Sequence, residues 1–311
     1  YLGSDHAPNK YAKGFPGIAF TMNATSACNL AAQAWGDKNI KAGDTIVAWV
    51  SEHHSNLLPW QKLAKRNDAQ LRLLPLLPSG RIDMDAYRQA LADRPALVCC
   101  AHVGNTLGIE YPIADMADMS LQVGAVFFLD ATQSAAHGKI DVKQLGVDFL
   151  ALSAHKMYGP TGIGALWMTP AMFDQMDPAF VGGGTVLSAT PYDYEPAFAT
   201  ARFEPGTQPV SLAIGWGAAL EYLRAAPARP GPYAPPAARP ARGAQAHRVR
   251  GSYARRRRER PGELRPAPDT SHAPGALLGP GGRRGARRKP LRPAPVLGHG
   301  SFGNHPRQLG R

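Results

Sequence analysis

Phe128-Leu129-Asp130-Ala131-Thr132-Gln133 and, further along the chain, Ser153-Ala154-His155-Lys156-Met157-Tyr158-Gly159-Pro160 are the stretches on which the fold turns. Each closes a short apolar run with polar residues. Runs 125–129 and 149–152 are too short for buried helices and are bounded by turn residues, so they read as buried strands. The same pattern recurs outward in both directions. Strands are predicted over 18–21, 45–50, 71–76, 96–101 and 165–168 as well. Helical-period segments lie between them at 26–35, 58–65, 84–92 (with Asp83 as N-cap) and 113–123, and 212–224 reads as an amphipathic helix. Such alternation predicts an α/β domain: a mainly parallel seven-stranded sheet with helices on both faces.

Ligands in such sheets collect at the carboxyl ends of strands. Thr25, His53, Asn105, Asp130 and Lys156 all fall at or just past predicted ends. An aspartate closing one strand and a lysine following the next is the layout that holds pyridoxal 5'-phosphate. The amine forms a Schiff base with the aldehyde, and the carboxylate keeps the pyridine nitrogen protonated. Around this pair the local readings are less selective. Thr25-Ser26 opens a helix, where hydroxyls and amides suit a phosphate but also suit an ordinary cap. His53 can stack on a pyridine ring or be a hydrogen-bonded loop histidine. Asn105 and Gln133 can each donate to the ring's phenolic oxygen, or serve as turn residues. Ser153 and His155 flank the lysine within reach of a phosphate. Gly182-Gly183-Gly184 reads as a flexible turn.

The charge is unevenly spread. The chain of 311 residues has a net charge of +12, which alone would suggest a nucleic-acid or acidic-membrane partner. Residues 1–224 carry 16 Lys and Arg against 20 Asp and Glu, whereas residues 225–311 carry 19 against 3. The basic excess therefore belongs to the last stretch. That stretch is rich in Arg, Pro, Ala and Gly, has Lys289 as its one lysine, and shows no strand or helix period. It reads as a disordered basic tail, able to hold nucleic acid non-specifically, or as the shifted-frame translation of a GC-rich gene. The expected organisation is a cofactor-binding domain over 1–224 and this tail over 225–311. Cys28, Cys99 and Cys100 have neither disulfide nor metal-ligand spacing, and the last two lie in an apolar run. No run is long enough for a membrane span, and the first residues do not read as a signal peptide, so a reducing, cytoplasmic setting is expected.

Three blocks carry a resemblance. Glu52-His53-His54-Ser55-Asn56-Leu57-Leu58-Pro59-Trp60-Gln61, Phe128–Gln133 and Ser153-Ala154-His155-Lys156-Met157-Tyr158-Gly159-Pro160-Thr161-Gly162-Ile163-Gly164 resemble the class V aminotransferase superfamily. More closely, they resemble its SUF-type cysteine desulfurase/selenocysteine lyase family, with Gly182–Gly184 and Arg202–Thr207 fitting further on. The resemblance runs from about residue 20 to 224. It implies Lys156 as the Schiff-base lysine, Asp130 as pyridinium partner, His53 stacked on the ring and Gln133 on its phenolic oxygen. It further implies Thr25, Ser153 and His155 on the phosphate, Asn105 on the substrate, and Thr207 reaching a neighbour's site in a homodimer. The implied reaction takes sulfur or selenium from L-cysteine or L-selenocysteine, leaves alanine, and passes the atom through an enzyme persulfide to an acceptor protein for iron–sulfur cluster assembly or thiolation. Three departures stand out: the chain begins inside the family's N-terminal segment, Ala24-Thr25 replaces a Thr-Thr pair, and no cysteine follows Cys100. The last removes the family's sulfur-accepting thiol, and the substrate-clamping arginine of the C-terminal domain has no counterpart either. A related class V lyase without a cysteine nucleophile, and a non-catalytic protein with a nucleic-acid-binding tail, are the alternatives.

Overall fold

The computed structural model describes residues 17–225. In chain order these form β1 (Ile18–Thr21), α1 (Ala24–Ala31) continuing into a π-turn (Ala32–Gly36), α2 (Asp37–Asn39), β2 (Thr45–Trp49) and α3 (His54–Arg66). There follow β3 (Gln70–Leu74), α4 (Met84–Ala92), β4 (Leu97–Ala101), α5 (Ile113–Val123), β5 (Val126–Asp130), α6 (Val142–Leu145) and β6 (Phe149–Ser153). A 3-10 turn (Ala154–Lys156), β7 (Gly164–Met168), α7 (Pro170–Asp174), β8 (Val186–Ala189), β9 (Tyr194–Pro196), a second 3-10 turn (Ala199–Phe203) and α8 (Val210–Ala225) complete it. The expected tail lies outside the described residues, except for Ala225, which closes α8; residues 1–16 lie outside them too.

Seven strands make one sheet in the order β1-β7-β6-β5-β4-β2-β3. The pairings β2–β3, β2–β4, β4–β5 and β5–β6 are parallel, whereas β7 is antiparallel to both β1 and β6. The expected α/β sheet is therefore present, with β7 as its one reversed strand. Both faces are buried, and successive residues alternate between them. Val47, Trp49, Val98, Cys100, Phe127 and Leu129 pack with Tyr87, Met116 and Trp216 of α4, α5 and α8. Ile46, Ala48, Leu97, Cys99, Phe128 and Phe149 pack on the other side with Cys28, Trp35 and Trp60. The adjacent cysteines of β4 thus end up in opposite halves of the core, and no disulfide forms among the three.

Four local readings need correction. Helix α1 starts at Ala24, not Ser26, because the Asn23 side chain accepts from the Ser26 amide at 3.0 Å and caps it. Helix α3 starts at His54, not Leu58; Pro59 lies inside it and forfeits a single intrahelical bond. The β8–β9 hairpin is absent from the sequence reading, since Leu187, Ser188 and Ala189 are exposed and show no alternation of burial. Gly182–Gly184 is not a loose turn: Thr185 Oγ1 accepts from the Gly182 amide, and the Gly206 amide donates to the Gly183 carbonyl at 2.7 Å. Asp83 caps α4 as expected, accepting from the Asp85 and Ala86 amides. No described helix is long and apolar enough to cross a membrane.

Candidate functional site

At the carboxyl ends of β5, β4 and β2, the chain leaves a cavity of about 250 Å³. Thr25, His53, Asn105, Asp130, Gln133, Ser153, His155 and Lys156 all line it, so eight of the nine residues singled out from the sequence meet there. Thr207 does not; it is exposed, in the bend ahead of α8. The wall also includes Asn23, Ala24, Ser55, Ala101, Val103 and Thr132, none of which the sequence reading assigned to it.

Asp130 ends β5 at the floor and is 7% exposed. Burial pushes its carboxyl above the usual range, against the opposing effects of Thr132 and of the nearby His53 ring. The Thr132 amide donates to Oδ1 at 2.9 Å, which leaves most of the carboxylate's accepting capacity for the cavity. Lys156 lines the same cavity from the turn after β6. That turn is held tightly: the Ala154 carbonyl accepts from the Met157 amide at 2.7 Å and the Gly159 amide at 2.9 Å. Tyr158 takes a left-handed φ of 61°, a conformation disfavoured for a side chain with a Cβ. A Cβ on Gly159 would come within 3.0 Å of both the Ala154 carbonyl oxygen and Trp216. The lysine is thus carried on a constrained corner.

Another part of the cavity wall is built where β7 meets the start of α1. Gly164 makes this approach possible, since a Cβ there would lie 2.5 Å from the Leu152 carbonyl oxygen and 2.6 Å from Asn23 Cα. The Ala24 amide donates to Ser153 Oγ at 2.8 Å, so the Ser153 hydroxyl hydrogen is free to donate in turn. Thr25 Oγ1 is 2.6 Å from Ser55 Oγ. His53 is the N-cap residue of α3: its Nδ1 accepts from the Ser55 amide at 3.1 Å, which fixes the ring against the helix start. Gln133 Nε2 donates to Asn105 Oδ1, joining the β5 and β4 loops across the rim.

Behind this wall is a second carboxylate. Glu52 is 6% exposed and does not line the cavity. Its Oε1 accepts from the Ala101 amide at 3.0 Å and its Oε2 from Asn56 Nδ2 at 2.7 Å, while Asn56 Oδ1 accepts from Trp60 Nε1 at 3.0 Å. Burial pushes its carboxyl up to about 8, with the neighbouring Asp130 charge adding to the effect and the two donors opposing it. Glu52, Asn56 and Trp60 recur at i, i+4 and i+8, the spacing of one helix face, and that signal was available in the sequence.

The donor set fits a planar pyridine that carries an aldehyde and a phosphate. A buried carboxyl with spare accepting capacity suits a cationic ring nitrogen, and an amine and the hydroxyls of Thr25, Ser55 and Ser153 line the same cavity. Among the described residues no cluster of His, Cys, Asp and Glu could hold a metal ion.

The aminotransferase class-V family model matches residues 11–229. A cysteine desulfurase of Salmonella newport is 40% identical over 208 residues, which are 66% of this chain and 51% of that protein. Among solved structures, an apo cysteine desulfurase of Thermococcus onnurineus NA1 aligns with a TM-score of 0.65 at 36% identity, over 68% of this chain and 53% of that one. The cysteine desulfurase CsdA of Escherichia coli aligns at 0.66 with 32% identity, again over 68% of this chain and 53% of that one. SspA in complex with cysteine aligns at 0.58 with 30% identity, over 67% and 56%. The chain spans about half the length of these relatives.

Proposed function

The chain belongs to the aminotransferase class-V family, and from that premise we propose that residues 17–225 are the cofactor-binding domain of a pyridoxal-phosphate-dependent cysteine desulfurase. The observation that supports this reading is that Asp130, at the end of β5, and Lys156, just past the end of the neighbouring β6, line one cavity. When bound, the cofactor supplies an electron sink for charge developing on an amino-acid substrate. The protein's part is to hold and orient. Asp130 would pair with the ring nitrogen and hold its proton, and Lys156 Nζ would hold the cofactor covalently. His53 would stack on the ring, with its orientation set by the helix cap. Thr25, Ser153 and His155 take the phosphate. Gln133 donates to the ring's phenolic oxygen, and Asn105, to which it is hydrogen-bonded, faces the substrate. Thr207, exposed on this protomer, serves the site of a second copy in a homodimer.

The substrate is L-cysteine or its selenium analogue, and the overall exchange moves the sulfur atom to a protein thiol as a persulfide while alanine leaves. That transfer needs a thiolate beside the substrate sulfur. Cys28, Cys99 and Cys100 are all buried, and desolvation pushes each thiol well above its usual range. None is suited to the task, and residues 101–311 contain no other cysteine. A polypeptide of these 311 residues should therefore bind the cofactor yet release sulfur from cysteine no faster than free cofactor with added thiol. Two measurements on purified protein test this. The visible absorbance of lysine-bound cofactor should be present and absent from Lys156→Ala; a normal spectrum in that variant overturns the cofactor assignment. Sulfide production well above the free-cofactor background, lost in Lys156→Ala, would mean that another thiol takes the sulfur.

A further inference from the structure

We propose that Ser55 is a positioning residue that couples the anion-binding hydroxyl of Thr25 to the ring of His53; the proposal rests on the phosphate end of the cavity as read above. Three polar groups form a continuous chain there. Thr25 Oγ1 is 2.6 Å from Ser55 Oγ, and Ser55 Oγ is 3.0 Å from His53 Nδ1. The Ser55 amide also donates to that nitrogen at 3.1 Å. All three side chains line the cavity.

The amide contact decides the tautomer. A nitrogen that accepts a backbone N–H carries no proton of its own, so the neutral ring keeps its proton on Nε2. The direction of the hydroxyl chain then depends on what Thr25 meets. With no anion, Thr25 can donate to Ser55 and Ser55 to His53 Nδ1. An anion in the cavity draws the Thr25 hydrogen to itself, because charge-assisted bonds are about twice as strong as neutral ones. Thr25 Oγ1 then accepts from Ser55, whose hydrogen swings away from the histidine. Nδ1 keeps its amide partner and loses its hydroxyl partner. Occupancy of the phosphate end is thereby felt at the ring that covers the cofactor, with no backbone movement.

The test uses the full chain labelled with ¹⁵N-histidine, with inorganic phosphate as the probe. In the wild type, His53 Nδ1 should resonate as an unprotonated nitrogen, and added phosphate should shift it towards a more weakly hydrogen-bonded one. Ser55→Ala should keep the tautomer, since the amide remains, but lose the phosphate response; Ser55→Thr should restore it. Thr25→Val should lose it as well, which keeps the question answerable if Ser55→Ala does not fold. With the cofactor itself, Ser55→Ala should weaken binding about five- to tenfold, the scale of one neutral hydrogen bond, and Ser55→Thr should recover most of that. A proton on Nδ1 in the wild type, no wild-type response to phosphate, or an equal response in Ser55→Ala would each overturn the proposal. Wild-type protein that answers phosphate but takes up no pyridoxal phosphate would overturn the functional reading and leave this coupling standing.

Discussion

Asp130 and Glu52 are both carboxylates buried at the carboxyl ends of nearby strands, and the sheet treats them in opposite ways. Asp130, at the end of β5, opens on the cavity with one amide donor on Oδ1. Glu52, just past β2, is walled off behind the same cavity with a donor on each oxygen. Desolvation raises both. The difference lies in saturation. A buried acid whose donors all come from the protein is part of the frame, whereas one left under-paired beside a cavity is waiting for a cation. Proximity to the site and an unusual acidity do not by themselves separate the two roles; the hydrogen-bond inventory does.

Removing each acid should therefore break a different property. Asp130→Ala should lower pyridoxal-phosphate affinity a hundredfold or more, on the scale of about 3–5 kcal/mol for unpairing a buried ion pair. It should cost the cofactor-free protein less stability than Glu52→Ala does, because the loss of the Thr132 amide's acceptor is offset by removal of a desolvated carboxyl. Glu52→Ala should do the reverse. It strands the Ala101 amide and Asn56 Nδ2 without acceptors, at about 2–4 kcal/mol of folding stability. Urea denaturation of the cofactor-free proteins and cofactor titrations, run on both variants, check the pair. Equal loss of the same property in both would dissolve the distinction.

Much of this frame could be read from the sequence. The seven strands were legible because each is a short apolar run cut by turn residues, and a sheet buried on both faces demands such runs. Asp130 and Lys156 were legible because they stand where those runs stop. Glu52 was not singled out because the helix was read from Leu58, which hid its i, i+4, i+8 spacing with Asn56 and Trp60; its bond to the Ala101 amide shows only once β4 lies beside β2. Ser55 was missed because its partner Thr25 belongs to a different helix. The β8–β9 hairpin escaped because its side chains face outward, which leaves no burial period to detect.

The two acids also set an expected pH dependence for the cofactor-free protein. Glu52 titrates at about 8 when folded, against an ordinary 4.5, so the native state holds a proton that the unfolded chain has released over that window. Stability must then fall as pH rises from about 4.5 to about 8, at up to about 1.4 kcal/mol per unit, or roughly 2–3 kcal/mol between pH 5.5 and 7.5. Asp130 contributes in the same direction from lower pH, as burial raises it too. His102 acts oppositely below about 6.5, because burial lowers it and the unfolded chain binds the extra proton. Comparison with Glu52→Gln isolates the glutamate: the variant should be flatter with pH above 6.5. An unchanged slope in that variant would place the ionisation elsewhere.

The smallest effect is expected at Thr207, and it sharpens the contrast between groups that act within one protomer and groups that act across two. Thr207 is exposed, and its side chain makes no hydrogen bond among the described residues. Thr207→Ala should therefore change folding stability by no more than about 0.5 kcal/mol, as for a surface substitution away from any packed feature. If it reaches a neighbour's phosphate site, the variant should weaken cofactor binding several-fold at protein concentrations where the dimer persists. That penalty should vanish on dilution to monomer, because a residue outside its own cavity can help only through a second copy. Cofactor titrations at high and low protein concentration, with the oligomeric state followed by sedimentation, separate the cases. A penalty that is the same in monomer and dimer would mean that Thr207 acts on its own protomer and would remove it from the partner's site.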